Sequence, residues 1–265
     1  MYQKYWGLKV KPFENSPDPK FLYHSKEHDD AILRILYAIQ SLKGAMLLSG
    51  EYGCGKTLIL HTIINNLNTS KYNIAFITNP NREPKELIKE ILYQLGIEWD
   101  SDSHTDMLHT LNDFLYSTIE EGGHTLIIID EAQAIETKET LEELRMLLNF
   151  QMNDRFMLTL FLVGQPEIRE KLKSIPQFNQ RISIRHHLKR FDKKETQKYI
   201  NYRLRAAGRY EPIFTEKAYQ NIYDYSDGIP RKINNICDLS LVTGATQQVD
   251  KIGTEIINNI VQSEE

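Results

Sequence analysis

The sequence predicts an α/β chain in which a parallel five-stranded sheet is sandwiched by helices and followed by a small all-helical lid domain. Three observations predict it. Short β-rich apolar runs alternate with helical patterns between residues 45 and 187, and strands separated by helices imply parallel pairing with both faces of the sheet covered. The run Gly50-Glu-Tyr-Gly53-Cys-Gly55-Lys56-Thr57 lies between the first strand and the first helix of that series. After Phe191 the strands stop and one helical pattern follows another.

The first 24 residues read as irregular, because Pro12, Pro17 and Pro19 are too closely spaced for a helix. Ser25 then stands where a cap belongs, ahead of a helix on which Ala31, Ile32, Ile35, Leu36 and Ile39 share one face. Strands are expected at 45–49, 73–78, 125–130 and 158–164, with a weaker one at 181–187. The helices between them are expected at 56–67, 84–95, 105–121 and 138–152. The later helices are expected at 193–207, 216–225, 230–243 and 254–262. The pattern divides the chain into an α/β core over 1–190, including the irregular segment 1–24, and a helical lid over 191–265.

Composition narrows the class. With 265 residues, 41% apolar and 26% charged, the chain has the make-up of a soluble globular protein with a full core, which excludes disordered and small disulfide-stapled classes. The longest nearly unbroken apolar run, 156–163, is far shorter than the roughly 20 residues of a membrane span. The amino terminus lacks the apolar stretch of a secretory signal. These features predict a cytoplasmic protein without a membrane span. Cys54 and Cys237 are distant in sequence and unlike in context, so both are expected to be reduced.

The net charge of -4 argues against a wholly basic protein that coats nucleic acid. It conceals an asymmetry: residues 169–209 carry thirteen Lys or Arg against three Asp or Glu.

The run from Gly50 to Thr57 fits the phosphate-loop pattern G-x-x-x-x-G-K-[ST] at every specified position. Its glycines let the backbone curl so that successive N–H groups, with the helix amino terminus, surround phosphate oxygens. Gly50, Glu51, Tyr52, Gly53, Cys54, Gly55, Lys56, Thr57 and Leu58 are therefore the expected nucleotide-binding residues. Lys56 is expected on the outer phosphates and the Thr57 hydroxyl on magnesium; Cys54 is read as a bystander facing the outside of the loop.

About 75 residues later, Leu126-Ile-Ile-Ile-Asp130-Glu131 reads as a buried strand ending in two carboxylates. Ligands of open α/β sheets sit at that carboxyl end. Asp130 is suited to hold magnesium through water, and Glu131 to orient and deprotonate an attacking water. Gln165, just after the strand 158–164, is a candidate to hydrogen-bond the terminal phosphate or its water; the competing reading is a polar loop residue ahead of Pro166. Arg231, in Gly228-Ile-Pro-Arg231, opens a helix of the second domain and either reaches back to the nucleotide or is a solvated helix-start arginine.

Together these residues resemble an AAA+ ATPase along the whole chain. More narrowly, Trp6-Gly7-Leu8, Pro12-Phe13, Ser16-Pro17-Asp18-Pro19 and Phe21-Leu22-Tyr23 resemble the opening of the general secretion pathway protein A (ExeA) family. Leu162-Val-Gly-Gln165-Pro-Glu167 and Gly228-Ile-Pro-Arg231 are similar to its later segments. The resemblance implies ATP and magnesium at the site, hydrolysis of ATP, and assembly into a homo-oligomeric ring or filament. It also implies an arginine that completes a neighbour's site in trans; Arg181 matches that position best, Arg185 second. Full-length secretion proteins of this kind resemble a fusion to a membrane span and a peptidoglycan-binding segment. A chain ending at Glu265 without them is similar as well to the TnsC and Mu B type of transposition regulator. On that ground a DNA-associated regulator of transposition, with duplex DNA and a transposase or other protein as partners, is expected ahead of a secretion or pilus-assembly ATPase. An ATP-stabilised scaffold with negligible turnover is the expectation from another class. The segment 169–209 is read either as a DNA-contacting surface or as a subunit interface.

Overall fold

A computed structural model describes residues 2–153 and 155–264. In chain order the elements are α1 (Tyr2–Trp6), α2 (Lys26–Gln40), β1 (Ala45–Gly50), α3 (Lys56–Asn66), β2 (Tyr72–Ile77), α4 (Pro84–Gln94), α5 (His104–Glu120) and β3 (His124–Ile129). They continue as α6 (Lys138–Leu147), the two short strands β4 (Gln151–Met152) and β5 (Arg155–Phe156), β6 (Leu158–Gly164), α7 (Glu167–Lys173), α8 (Pro176–Arg181) and β7 (Ile182–Leu188). Four helices follow: α9 (Lys193–Ala206), α10 (Glu216–Ser226), α11 (Pro230–Thr246) and α12 (Thr254–Glu264).

The five-stranded sheet has the order β2-β3-β6-β1-β7, and every pair in it is parallel. Register is regular across the centre, with Ala45 opposite Leu160 and Ile127 opposite Leu160 from the other side. β1, β3 and β6 are buried along their whole length, which is why they read as continuous apolar runs instead of alternating ones. The expected α/β fold with five strands is therefore observed.

Cα packing separates two compact units. One comprises 29–50 and 63–188; the other comprises 1–28, 51–62 and 189–265. The sheet unit has a core built from Leu47, Ile77, Leu87, Ile127, Leu160 and Phe178, among others. The helical unit has its own core, in which Trp6 and Phe13 join Ile200, Phe214, Ile233 and Leu241.

Local chemistry explains most helix starts. Ser103, Thr137, Asp192 and Thr215 each cap a helix by accepting a backbone N–H three residues on. Ser25 does the same for the His28 N–H at 3.3 Å, as expected. Pro84, Pro176 and Pro230 occupy the first turn, where a missing N–H costs nothing.

Several expectations are corrected. The first 24 residues are not irregular throughout: 2–6 form α1, 19–21 form a 3-10 turn, and Tyr2, Trp6, Leu8, Phe13 and Leu22 are buried. Proline spacing reported only on 12–19 and was silent on the aromatic face ahead of it. The helix expected over 138–152 ends at Leu147, and the chain turns into the β4-β5 hairpin. The strand expected from 181 begins at Ile182, with Arg181 closing α8. α7 and α8 have only seven and six residues, too few for a periodic pattern to stand out.

Candidate nucleotide-binding site

Within the helical unit, the loop after β1 has the conformation its glycines allow. Gly53 and Gly55 sit at φ +82° and +96°, a region that side chains with a Cβ avoid. Lys56 begins α3 and is 5% exposed; its Nζ donates to the Glu51 carbonyl at 3.0 Å, so the ammonium folds back over the loop. Thr57 and Leu58 follow in the first turn of α3, where the helix dipole favours an anion.

Arg231 meets this loop, and the contact is with the loop itself. Its backbone N–H donates to the Gly53 carbonyl at 3.2 Å. Its guanidinium lies 4.8 Å from the centre of the Tyr52 ring and donates to the Tyr52 hydroxyl. A Cβ on Gly53 would come within 2.7 Å of Arg231 Cβ, so this glycine serves close approach as well as backbone curvature.

Two neighbours of the loop were not singled out in the sequence. Arg190 pairs with Asp227 and lies 3.7 Å from Glu51. His28 is buried, its Nδ1 2.8 Å from the Ser25 hydroxyl, and its Nε2 would stand 3.3 Å from a Cβ placed on Gly55. Neither belongs to a motif, and both are joined to the loop only by folding. Cys54 is corrected: the thiol is 1% exposed instead of facing outward, and burial pushes its pKa up to about 11. Cys54 and Cys237 are both free, as expected.

Within the sheet unit, three candidates stand at the carboxyl ends of neighbouring strands. Gly50 ends β1, Gln165 follows β6, and Asp130 follows β3. Gly50 cannot be larger, since a Cβ would lie 2.8 Å from the Leu188 carbonyl oxygen of β7. Asp130 is 4% exposed; its N–H donates to Ile77, and its Oδ1 accepts the Glu131 N–H at 2.9 Å. Glu131 occupies the left-handed region at φ 51°, a conformation costing a non-glycine residue about 1–3 kcal/mol. The Gln133 carboxamide donates to Glu131 Oε2 and accepts the Gln165 N–H at 2.8 Å. Gln165 thus enters this network through its backbone.

Arg181, expected to complete a neighbouring copy's site and not its own, donates from its guanidinium to the Leu148 carbonyl at 2.9 Å. Arg185, the second candidate, donates to the Asn179 carbonyl.

The basic segment is also largely engaged. Lys171 donates to the Gln133 and Ile135 carbonyls, Lys173 pairs with Glu170, and Lys189 with Glu27. Arg203 is buried and donates to the Pro12 and Glu14 carbonyls, and Arg209 donates to Glu211. With Arg181, Arg185 and Arg190, eight of the thirteen cations have protein partners.

A model of the AAA domain matches residues 39–172, about half of the chain, spanning the loop, both carboxylates and Gln165. The chain belongs to the AAA domain family. It is 36% identical over 255 residues, 95% of its length, to the General secretion pathway protein A of Aeromonas hydrophila, and spans 46% of that protein. It is 24% identical to an uncharacterized HTH-type transcriptional regulator of Methanocaldococcus jannaschii, over 97% of this chain and 73% of the other. Its fold is similar to that of the Aeropyrum pernix ORC2 protein in its ADPNP-ADP complexes, with a TM-score of 0.68 at 17% identity over 96% of this chain and 71% of that one. The AAA fold is thus retained where identity is low. Among the described residues, no helix is long and apolar enough to cross a membrane.

Proposed function

We propose that this AAA-family chain is an ATP-hydrolysing motor or switch of the secretion type. The observation that carries the reading is the 36% identity to the Aeromonas secretion protein along 95% of the chain. The secretion reading therefore stands ahead of the transposition regulator, reversing the order expected from the sequence. Chain length offers no argument between them, because only 46% of the secretion protein is matched. The basic segment offers little, since most of its cations already have carbonyl or carboxylate partners.

In this reading the loop 50–58 binds the phosphates of ATP through backbone N–H groups, and Lys56 turns from the Glu51 carbonyl to the outer phosphates. Thr57 and Asp130 would hold magnesium; a hydroxyl and a buried carboxylate are the oxygen donors a hard cation takes. When bound, that ion neutralises charge on the outer phosphates. Glu131 takes a proton from the attacking water as the water oxygen bonds to the terminal phosphorus and the bond to ADP breaks. Arg231 exchanges Tyr52 for phosphate and so couples the helical segment 191–265 to the nucleotide state. Assembly into a homo-oligomeric ring or filament brings an arginine of a neighbouring copy to the site, Arg181 first, after it leaves the Leu148 carbonyl.

Phosphate release and binding of a fluorescent ATP analogue test the reading. Lys56→Ala is expected to weaken binding by at least about 10-fold, and Glu131→Gln to retain binding while losing roughly 100-fold or more in turnover. Unchanged turnover in Glu131→Gln would remove the assigned base. Binding and ATP-dependent growth in particle size without turnover would leave a nucleotide-stabilised scaffold.

A further inference from the structure

We propose that Gln133 is a positioning residue for Glu131, fixing the carboxylate against the tip of β6; the inference rests on the hydrolytic role given to Glu131 above. Gln133 uses both ends of its carboxamide, the NH2 donating to Glu131 Oε2 and the oxygen accepting the Gln165 N–H at 2.8 Å. The orientation follows from chemistry, since a flipped amide would set its oxygen against the carboxylate and its NH2 against an N–H. The backbone beneath it is held as well: Lys171 Nζ donates to the Gln133 carbonyl at 2.6 Å and to the Ile135 carbonyl at 2.5 Å.

Space for the carboxamide is reserved on β6. A Cβ on Gly164 would lie 2.6 Å from Gln133 Oε1, so a larger residue there would displace the side chain that bridges the two strand ends. Glu131 is constrained on its other sides by its own N–H on Asp130 Oδ1 and its own carbonyl, which accepts the Ala134 N–H at 2.7 Å. A left-handed residue tethered at backbone and side chain has little freedom, and Gln133 supplies the side-chain tether. The bridge links the residue that activates water to the strand end carrying Gln165.

Two substitutions separate the bonds. Gln133→Met keeps length and loses both; Gln133→Glu keeps an acceptor for Gln165 but sets a carboxylate against Glu131. Each is expected to lower kcat for phosphate release by roughly 10- to 100-fold while KM stays within about 2-fold, with Gln133→Glu at least as impaired as Gln133→Met. A residue that only supported the fold would disturb nucleotide affinity and kcat together. A second readout needs no turnover: thermal unfolding of the nucleotide-free chain carrying Glu131→Ala, Gln133→Met or both. Coupled side chains predict that the double variant melts within about 1 °C of the less stable single one. Additive losses in Tm, or wild-type kcat in Gln133→Glu, overturn the proposal. A wild type that releases no phosphate, with non-additive Tm losses, upholds the positioning contact and removes the hydrolytic role instead.

Discussion

Gly228 shows how much a single position can carry. It sits at φ +69°, and a Cβ there would lie 1.9 Å from the Phe191 carbonyl oxygen, while the Phe191 N–H donates to the Gly228 carbonyl at 3.0 Å. Gly228→Ala is therefore expected to cost about 3 kcal/mol or more in chemical denaturation, because backbone strain and a backbone collision add. Gly122, at φ +77° with nothing within 4 Å of its missing Cβ, isolates the first of these terms. Gly122→Ala is expected to cost only about 1–2 kcal/mol, and equal losses at the two sites would contradict the packing role of Gly228. The motif Gly228-Ile-Pro-Arg231 is visible in the sequence, but that its glycine serves Phe191 is not. The same holds for Gln133, whose partners Glu131 and Gln165 are two and thirty-two positions away. The loop and the two carboxylates were legible because each is a local pattern whose chemistry follows from neighbouring residues.

At the scale of elements, the amino-terminal segment departs most from its expected form. Trp6 is 3% exposed and its indole N–H donates to the Leu241 carbonyl at 2.8 Å, anchoring α1 on α11. A buried tryptophan packed in this way contributes about 3–5 kcal/mol relative to alanine. Trp6→Ala should lower the thermal midpoint accordingly, and a midpoint equal to wild type would mean that α1 is not docked in solution. Arg203 gives the segment a polar anchor as well, through the carbonyls of Pro12 and Glu14. The buried strands were readable as continuous apolar runs, and the long helices by the period of their apolar faces. They were not readable in α1, α7 and α8, whose five to seven residues are ordered by what they pack against.

For the molecule as a whole, pH dependence has an identifiable contributor. His124 begins β3, is 1% exposed, and its Nε2 meets the Thr159 hydroxyl, which itself donates to the Lys43 carbonyl. Its Nδ1 has no partner among the described residues, and burial lowers its pKa from 6.5 to about 4. Between those values the unfolded chain binds the proton and the folded chain does not. Stability from this group is thus complete above pH 6.5 and declines as pH falls toward 4, by an amount on the order of 3 kcal/mol. His124→Gln should flatten that part of the stability profile; an unchanged slope would assign it to other groups. Charge makes a second prediction at this scale. With eight of thirteen cations in 169–209 already engaged, duplex DNA at low salt is expected to leave the ATPase rate unchanged. Stimulation that weakens as salt rises would restore the DNA-directed reading.

The sequence by itself determined the parallel sheet, the phosphate loop and the paired carboxylates, because buried strands and glycine-lysine loops are written in residue types a few positions apart. Only the tertiary structure decided that Arg231 rests on Tyr52, that Gln133 joins Glu131 to the backbone of Gln165, and that the proline-rich opening packs with the later helices. It also decided which cations of the basic segment are hydrogen-bonded within the chain. A count of charges is additive along the chain, but availability depends on which carbonyls and carboxylates folding brings within hydrogen-bond reach, and for Lys171, Arg181 and Arg203 those acceptors lie more than thirty residues away.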